Sequence, residues 1–310
     1  MTETNGKQRD DHDQDFLIEV GQRVRRMRGL RGMSRRVLAE TSGVSERYIA
    51  QLETGNGNLS ITLLRHIAEA IGAPLEDLVA EAERQPTEWP LFRELLNRAS
   101  PQALQQAKAV LSGKQFATPA GGHTIAVDRV ALIGLRGAGK STLGRRAAEA
   151  LAWPFVELNK EIERESGFSM TEIFSLYGQE GYRRLEQASL HNIIERTGPM
   201  ILATGGGIVA DPVTLELLLT SFFTVWIKAS PTEHMSRVRQ QGDLRPMTNE
   251  SAAMAELVTI LSSREPLYAR ARATIDTSGR GIDACLQDLL GTVGSYCAAA
   301  CPYVSCNRVP

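Results

Sequence analysis

No apolar run in the 310 residues reaches the roughly 18 that a membrane-spanning helix needs. The longest candidate, Leu215 to Ile227, is broken by Glu216, Thr220, Ser221 and Thr224, so no span is expected. No secretory leader is expected either: the first residues include Lys7, Arg9, Asp10, Asp11, Asp13 and Asp15 and have no apolar core. Cysteine is scarce. Cys285, Cys297, Cys301 and Cys306 are the only four, and none is placed to staple the body of the chain, which points to the reducing cytoplasm. The spacing Cys297-x-x-x-Cys301-x-x-x-x-Cys306 lacks the C-x₂-C step and a neighbouring histidine, so no zinc site is expected. There is no excess of either charge: 35 Lys and Arg face 36 Asp and Glu, for a net charge of −1. A nucleic-acid partner is therefore invisible in the total and must be sought locally. No internal repeat is present. What remains is a globular composition, 42% apolar and 23% charged. At roughly 150 residues per domain, the length predicts about two domains.

Composition divides the chain further. Residues 1–15 are polar and acidic and read as a disordered leader. From 16 to 80, short apolar periodic segments alternate with glycine or serine breaks, which predicts an all-α module. Residues 81–128 contain Pro86, Pro90, Pro101 and Pro119 and the joint Thr118-Pro119-Ala120-Gly121-Gly122. Leu91, Leu95, Leu96, Leu104, Val110 and Leu111 recur there at helical spacing, so this linker is expected to carry two short amphipathic helices. From 129 to 293, five β-rich runs alternate with helical stretches: Val130–Ile133, Phe155-Val156, Met200–Ala203, Phe222–Ile227 and Ala273–Ile275. That alternation predicts an α/β domain with a parallel sheet and helices on both faces. Residues 294–310 read as a tail without periodicity.

In the N-terminal module, helices are expected from Phe16 to Leu30, Ser34 to Ser42, Ser45 to Glu53, Ser60 to Ile71 and Pro74 to Val79. Only Gly43-Val44 separates the second from the third. Glycine supplies the positive φ of a tight turn, Val44 fills the wedge, and Ser45 is a natural N-cap. Ile49 and Leu52 must then point inward. Glu46, Arg47, Ala50 and Gln51 face outward, where such side chains suit base edges in a major groove. Arg23, Arg25, Arg26, Arg28, Arg31, Arg35, Arg36 and Arg47 crowd the same region, as phosphate binding requires. Leu38-Ala39, Gly43-Val44-Ser45, Ile49 and Glu53-Thr54-Gly55 resemble the phage-repressor (Cro/C1, or XRE) helix-turn-helix family over about Gly21 to Leu78. Arg35 stands where that family has a glutamine, which favours a phosphate contact. The resemblance implies an operator in double-stranded DNA, bound by a homodimer on half-sites about one helical turn apart.

The second signal follows the strand run Val130–Ile133 at once. Gly134-Leu135-Arg136-Gly137-Ala138-Gly139-Lys140-Ser141-Thr142 is a complete G-x-x-x-x-G-K-[ST] phosphate loop between a strand and a helix. Its glycines let backbone N–H groups converge on an oxyanion at a helix N-terminus. Lys140 supplies charge for the outer phosphates, and Ser141 is placed to hold Mg²⁺. Such a loop takes ATP or another diphosphate, the pyrophosphate of coenzyme A included.

Further motifs resemble shikimate kinase in order, over about 129–290. They are Phe155-Val156-Glu157-Leu158-Asn159 with Ile162-Glu163, Ser169-Met170-Thr171-Glu172-Ile173-Phe174, Gly178, Tyr182-Arg183-Arg184-Leu185-Glu186, Ala203-Thr204-Gly205-Gly206-Gly207, Leu244-Arg245-Pro246-Met247, and Arg264-x-x-x-Tyr268. The resemblance implies a P-loop kinase-like fold. It places Arg183, Arg264 and the backbone of Gly205, Gly206 and Gly207 around a carboxylated ring. Arg245 falls on a lid over the phosphates. Guanidinium forks suit carboxylates, and bare glycine lets a ring approach backbone donors. The family's two aspartates are Glu157 and Asn159 here. Glu157 keeps the charge of the Mg²⁺ site but adds a methylene. Asn159 stands where the base would be, and an amide accepts no proton at neutral pH.

A phosphate cradle and ring pocket without a base read as a receptor, with no cofactor required. The whole chain resembles the repressors of bacterial benzoate catabolism that join this helix-turn-helix to a shikimate-kinase-like domain. That resemblance implies an acyl-CoA effector, benzoyl-CoA, that releases the operator. The alternatives are a working shikimate-type kinase fused to a DNA-binding domain, and a second domain that serves only for dimerisation.

Overall fold

The structure is a computed structural model that describes residues 3–56, 60–80, 89–111, 128–240 and 250–300. Contacts group the chain into two compact units. One comprises Met1–Ala82, Leu135–Ala138 and Ala229–Ala269; the other comprises Glu83–Gly134, Gly139–Lys228 and Arg270–Pro310.

The first unit is helical. α1 (Glu3–Arg31), α2 (Arg35–Ser42), α3 (Glu46–Glu53), α4 (Ile61–Ile71) and α5 (Leu75–Val79) follow one another through short turns. Their ends fall where local chemistry dictates. The Ser34 and Ser45 side chains accept hydrogen bonds from the backbone N–H groups of Val37 and Tyr48, capping α2 and α3. Gly43 ends α2 at φ 71°, a left-handed turn that a Cβ would strain. Val20, Val24, Leu38, Val44, Ile49, Leu52, Ile67 and Leu78 form the core, each nearly or fully buried. α12 (Pro231–Gln240) and α13 (Glu250–Tyr268) complete this unit.

Two expectations need correction here. The leader is helical from Glu3, because α1 begins 13 residues before Phe16 and no proline interrupts it; Gln14 Nε2 donates to Gly55 O, 3.0 Å away. The described part of the tail is helical too. α14 (Ile282–Ala300) buries Val293 and Cys297, one turn apart, and Tyr296 stacks on Phe223 with ring centroids 3.9 Å apart. Cys301 and Cys306, the Thr118–Gly122 joint and the Leu244–Met247 segment with Arg245 lie outside the described residues.

The second unit is built on a five-stranded parallel sheet in the order β2-β3-β1-β4-β5. The strands are β1 (Arg129–Ile133), β2 (Phe155–Glu157), β3 (Met200–Ala203), β4 (Phe223–Lys228) and β5 (Ala273–Asp276). All five expected runs form strands. Their continuous burial in β1 and β3 explains the unbroken apolar runs. β1 lies between β3 and β4, so the connections on its two sides diverge. A sheet of this kind opens its binding crevice at the carboxyl end of that strand. α8 (Lys140–Leu151), α9 (Leu158–Ser166), α10 (Met170–Glu195) and α11 (Pro212–Ser221) connect successive strands, and α14 follows β5. α10 is interrupted at Gly178, at φ 64° and ψ −168°. The two expected linker helices are α6 (Trp89–Arg98) and α7 (Pro101–Leu111). α6 packs on α11, where Arg98 Nη2 donates to Asp211 Oδ2 at 2.9 Å and Nη1 to Gln187 Oε1 at 2.8 Å.

Candidate DNA-binding and ligand-binding sites

α3 buries one face and exposes the other, as the spacing predicts. Ile49 and Leu52 are buried in the core, while Ser45, Glu46, Arg47 and Gln51 are exposed and Ala50 is half-buried. The arginines around it divide differently from expectation. Arg23 donates to Leu78 O, and Arg31 to Ile71 O and Gly72 O. Arg25 donates to Thr259 Oγ1, and Arg36 pairs with Glu40. Arg35 Nε lies 2.8 Å from Glu53 Oε2, so its guanidinium is turned toward the end of α3. Arg28 is buried: its Nε and Nη2 meet Glu53 at 2.6 and 3.2 Å, and its Nη1 meets Glu256 at 2.5 Å and Met33 O at 2.7 Å. Burial disfavours the Arg28 charge, but Glu53 and Glu256 outweigh it and raise its pKa above the ordinary guanidinium value. Much of the basic cluster thus braces the helical unit. Arg26 and Arg47 are exposed.

The phosphate loop turns on three glycines with positive φ: Gly134 (139°), Gly137 (79°) and Gly139 (99°). A Cβ on Gly134 would stand 2.3 Å from Ile227 O, so backbone crowding also demands glycine there. Gly139 caps α8, which aims the free N–H groups of that helix at the loop. The buried Lys140 donates from Nζ to Gly134 O at 2.7 Å, and Ser141 and Thr142 are exposed in the first turn of α8. Ala138 is buried.

Glu157 ends β2 beside this turn. Lys160 Nζ lies 2.9 Å and Arg145 Nη2 3.7 Å from its Oε2. Burial alone would raise its pKa. Hydrogen bonds from Ser141 and Lys160 and the charges of Lys160 and Arg145 outweigh that and hold the carboxyl below its ordinary range. A hydroxyl and an ionised carboxylate in contact fit Mg²⁺, which commonly takes one or two carboxylates together with phosphate and water. Lys160 shares that carboxylate, so an ion there must displace or tolerate its ammonium group.

Five of the six residues expected around a ring lie together. Asn159 opens α9, and Arg183 lies on α10 over the Gly205–Gly207 loop. A Cβ on Gly205 would stand 3.0 Å from Asn159 Oδ1, and one on Gly207 would stand 2.6 Å from Arg183 Nη2. Gly206 is half-buried between them. Two residues not expected to take part complete the cluster. Tyr182 OH donates to Glu186 Oε1 at 2.7 Å and lies 3.4 Å from Asn159 Oδ1, while Arg183 Nη1 donates to Glu186 Oε2 at 2.5 Å. Glu186 is fully buried, and both of its oxygens are engaged. The signal for these two was their place in the motif Tyr182-Arg183-Arg184-Leu185-Glu186. Among the described atoms, Arg183 Nε is buried with no hydrogen-bond partner. Arg264, on α13 of the other unit, is buried, and its Nε donates to Leu30 O at 2.8 Å.

Residues 136–293 match the Shikimate kinase family, and residues 24–78 match a Helix-turn-helix family. The first match spans just over half of the chain, and the chain belongs to the shikimate kinase family, with a helix-turn-helix domain ahead of the kinase-like region. It is 32% identical over 174 residues to the shikimate kinase of Rhizobium meliloti (strain 1021), covering 56% of this chain and 90% of that one. Identity to the shikimate kinase of Thioalkalivibrio sulfidiphilus (strain HL-EbGR7) is 37% over 163 residues, covering 52% and 85%. The crystal structure of shikimate kinase from Bacteroides thetaiotaomicron superposes with a TM-score of 0.50 at 28% identity, covering 54% of this chain and 98% of that one. No helix among the described residues is long and apolar enough to cross a membrane.

Proposed function

We propose that the chain is a ligand-responsive transcription regulator, a repressor of aromatic (benzoate) catabolic genes. Its helix-turn-helix binds operator DNA as a homodimer. Its kinase-like domain binds an acyl-CoA effector, benzoyl-CoA, and operator affinity then falls. The observation that carries this reading is Asn159. An amide stands where the family resemblance puts the base, in contact with the Tyr182 hydroxyl. Asparagine still orients a ligand but cannot take the proton of a hydroxyl under phosphorylation. In this reading Gly134, Gly137, Ala138, Gly139, Lys140, Ser141 and Thr142 cradle the CoA pyrophosphate. Asn159, Arg183, Gly205, Gly206 and Gly207 serve the acyl end, and Arg245 serves the phosphates; Arg264, expected with them, is instead held on the helical unit by Leu30 O. Glu46, Arg47, Ala50 and Gln51 read bases beside the Ser45 cap. The exposed Phe92, Leu95, Leu96 and Leu104 of α6 and α7 supply apolar surface for pairing.

A second reading, an active kinase fused to a DNA-binding domain, is favoured by the intact loop and by the Ser141–Glu157 contact suited to Mg²⁺. One panel separates the two. Benzoyl-CoA, other acyl-CoAs, CoA, ATP and shikimate are compared by thermal shift on the full chain, and ATP consumption with shikimate is followed in parallel. A ligand that binds only the folded form raises the melting point. The receptor reading expects a rise with benzoyl-CoA and no shikimate-dependent turnover; turnover without an acyl-CoA response favours the kinase.

A further inference from the structure

The helical unit holds more than the DNA reader. It also includes Leu135–Ala138, the crest of the phosphate loop, with α12 and α13. α12 seats that crest. His234 Nδ1 lies 2.9 Å from Arg136 O, Arg237 Nη1 donates to Ala138 O at 3.4 Å, and a Cβ on Gly137 would meet Val238 Cγ2 at 3.0 Å. α12 packs on α13, and α13 packs on α1.

The contact between α13 and α1 is close and polar. Along α13, Glu256, Thr259, Ser263 and Arg264 recur at the spacing of one helical face. Along α1, Arg25, Arg28 and Gly29 do the same. Arg25 donates to Thr259, Arg28 pairs with Glu256, and Arg264 donates to Leu30 O. Gly29 lets the helices meet: a Cβ there would stand 2.5 Å from Ser263 Oγ and 2.9 Å from Thr259 O.

This contact reaches the reading helix in one step. Glu53, at the end of α3, is shared by Arg28 and Arg35, and Glu256 is the second carboxylate of the set. Two guanidiniums and two carboxylates balance. Without Glu256, both cations fall on Glu53 alone, and the half-exposed Arg35 is the one free to leave. The bonds that fix the end of α3 against the start of α2 then loosen. Glu46, Arg47 and Gln51 are exposed with α13 in place, so α13 braces the reading face without covering it.

We propose that α13 is a clamp on the DNA reader, through which occupancy of the phosphate loop is felt at α3. It rests on the assignment above of DNA to α3 and a phosphate-bearing ligand to the loop. Docked, the clamp preorganises α3, and preorganisation favours binding. A ligand that draws the loop crest and α12 away from this arrangement weakens the docking and lowers DNA affinity.

The test uses the full chain, Gly29→Ala and Glu256→Gln, with a duplex that the wild type selects from a random pool. Gly29→Ala blocks the close approach while favouring the α1 helix itself. Glu256→Gln removes the charge alone. Both are expected to bind the duplex about 5- to 150-fold more weakly, to keep the wild-type helical circular dichroism, and to show faster amide exchange in residues 46–53. Benzoyl-CoA and ATP serve as loop probes; whichever weakens the wild-type complex is expected to weaken the Gly29→Ala complex far less, since the two effects share one element. Unchanged duplex affinity with unchanged exchange in α3 overturns the proposal, as does an equal ligand effect in wild type and Gly29→Ala. If neither probe affects the wild type while both variants weaken binding, the ligand assignment fails and the clamp on α3 stands.

Discussion

Arg28 meets two carboxylates and a backbone carbonyl at once, with its side chain 1% exposed. Breaking such a buried network by removing one member costs about 3–5 kcal/mol, because the partner carboxylate stays buried. Arg28→Ala is therefore expected to lower the melting midpoint by more than about 10 °C; a shift within a degree or two in calorimetry contradicts this account of the unit. At the ring pocket, Gly205→Ala places a methyl group 3.0 Å from Asn159 Oδ1 and 3.1 Å from Tyr182 OH. Asn159 can turn, but Tyr182 is tied to Glu186. The expected result in titration calorimetry is a ligand affinity roughly tenfold weaker, about 1.4 kcal/mol, with an unchanged melting point. The phosphate loop was legible in sequence because Gly134 to Thr142 are contiguous and each residue answers a local demand. The Arg28 pairing was not, since Glu256 lies 228 positions away. In sequence Arg28 and Arg35 read as phosphate ligands; in the structure both face Glu53.

Asp211 shows how one cap ties two elements together. Its side chain accepts from Thr214 N at 2.8 Å at the start of α11, and it holds Arg98 of α6. Burial would raise its pKa, but the Thr214 hydrogen bond and the Arg98 charge prevail and hold it below the ordinary carboxylate value. A depressed folded pKa means stability that is present in full above the unfolded value, about 3.9, and lost as pH falls through the folded one. The docking of α6 should thus weaken below about pH 4. Asp211→Asn should flatten that acid limb in denaturant titrations between pH 2 and 6; an unchanged limb contradicts the assignment. At this scale the sequence was most readable where an element closes on itself, as in the serine caps, Gly43 and the five strand runs. It was least readable where an element depends on distant packing. α1 extends back to Glu3, and α14 runs on through Cys297 because Val293, Tyr296 and Cys297 find partners in the sheet domain.

Across the whole chain, a small DNA reader is joined to a kinase-family domain, and the overall charge hides the reader's local bias. Many of its arginines are bound to carbonyls and carboxylates of their own unit, whereas Arg26 and Arg47 are exposed, and on the proposed reading these two neutralise phosphates. Replacing either with glutamine should reduce the log–log salt slope of DNA binding by about 1, whereas Arg31→Gln should leave the slope nearly unchanged. Equal slope changes at all three would return the cluster to the role that sequence first assigned it. The direct measurement is the anisotropy of a labelled operator duplex bound to the full chain, titrated with benzoyl-CoA at fixed salt. Operator affinity falling between about 5- and 150-fold at saturation is the predicted result. An affinity indifferent to the acyl-CoA, in a protein that transfers phosphate from ATP to shikimate, would contradict it.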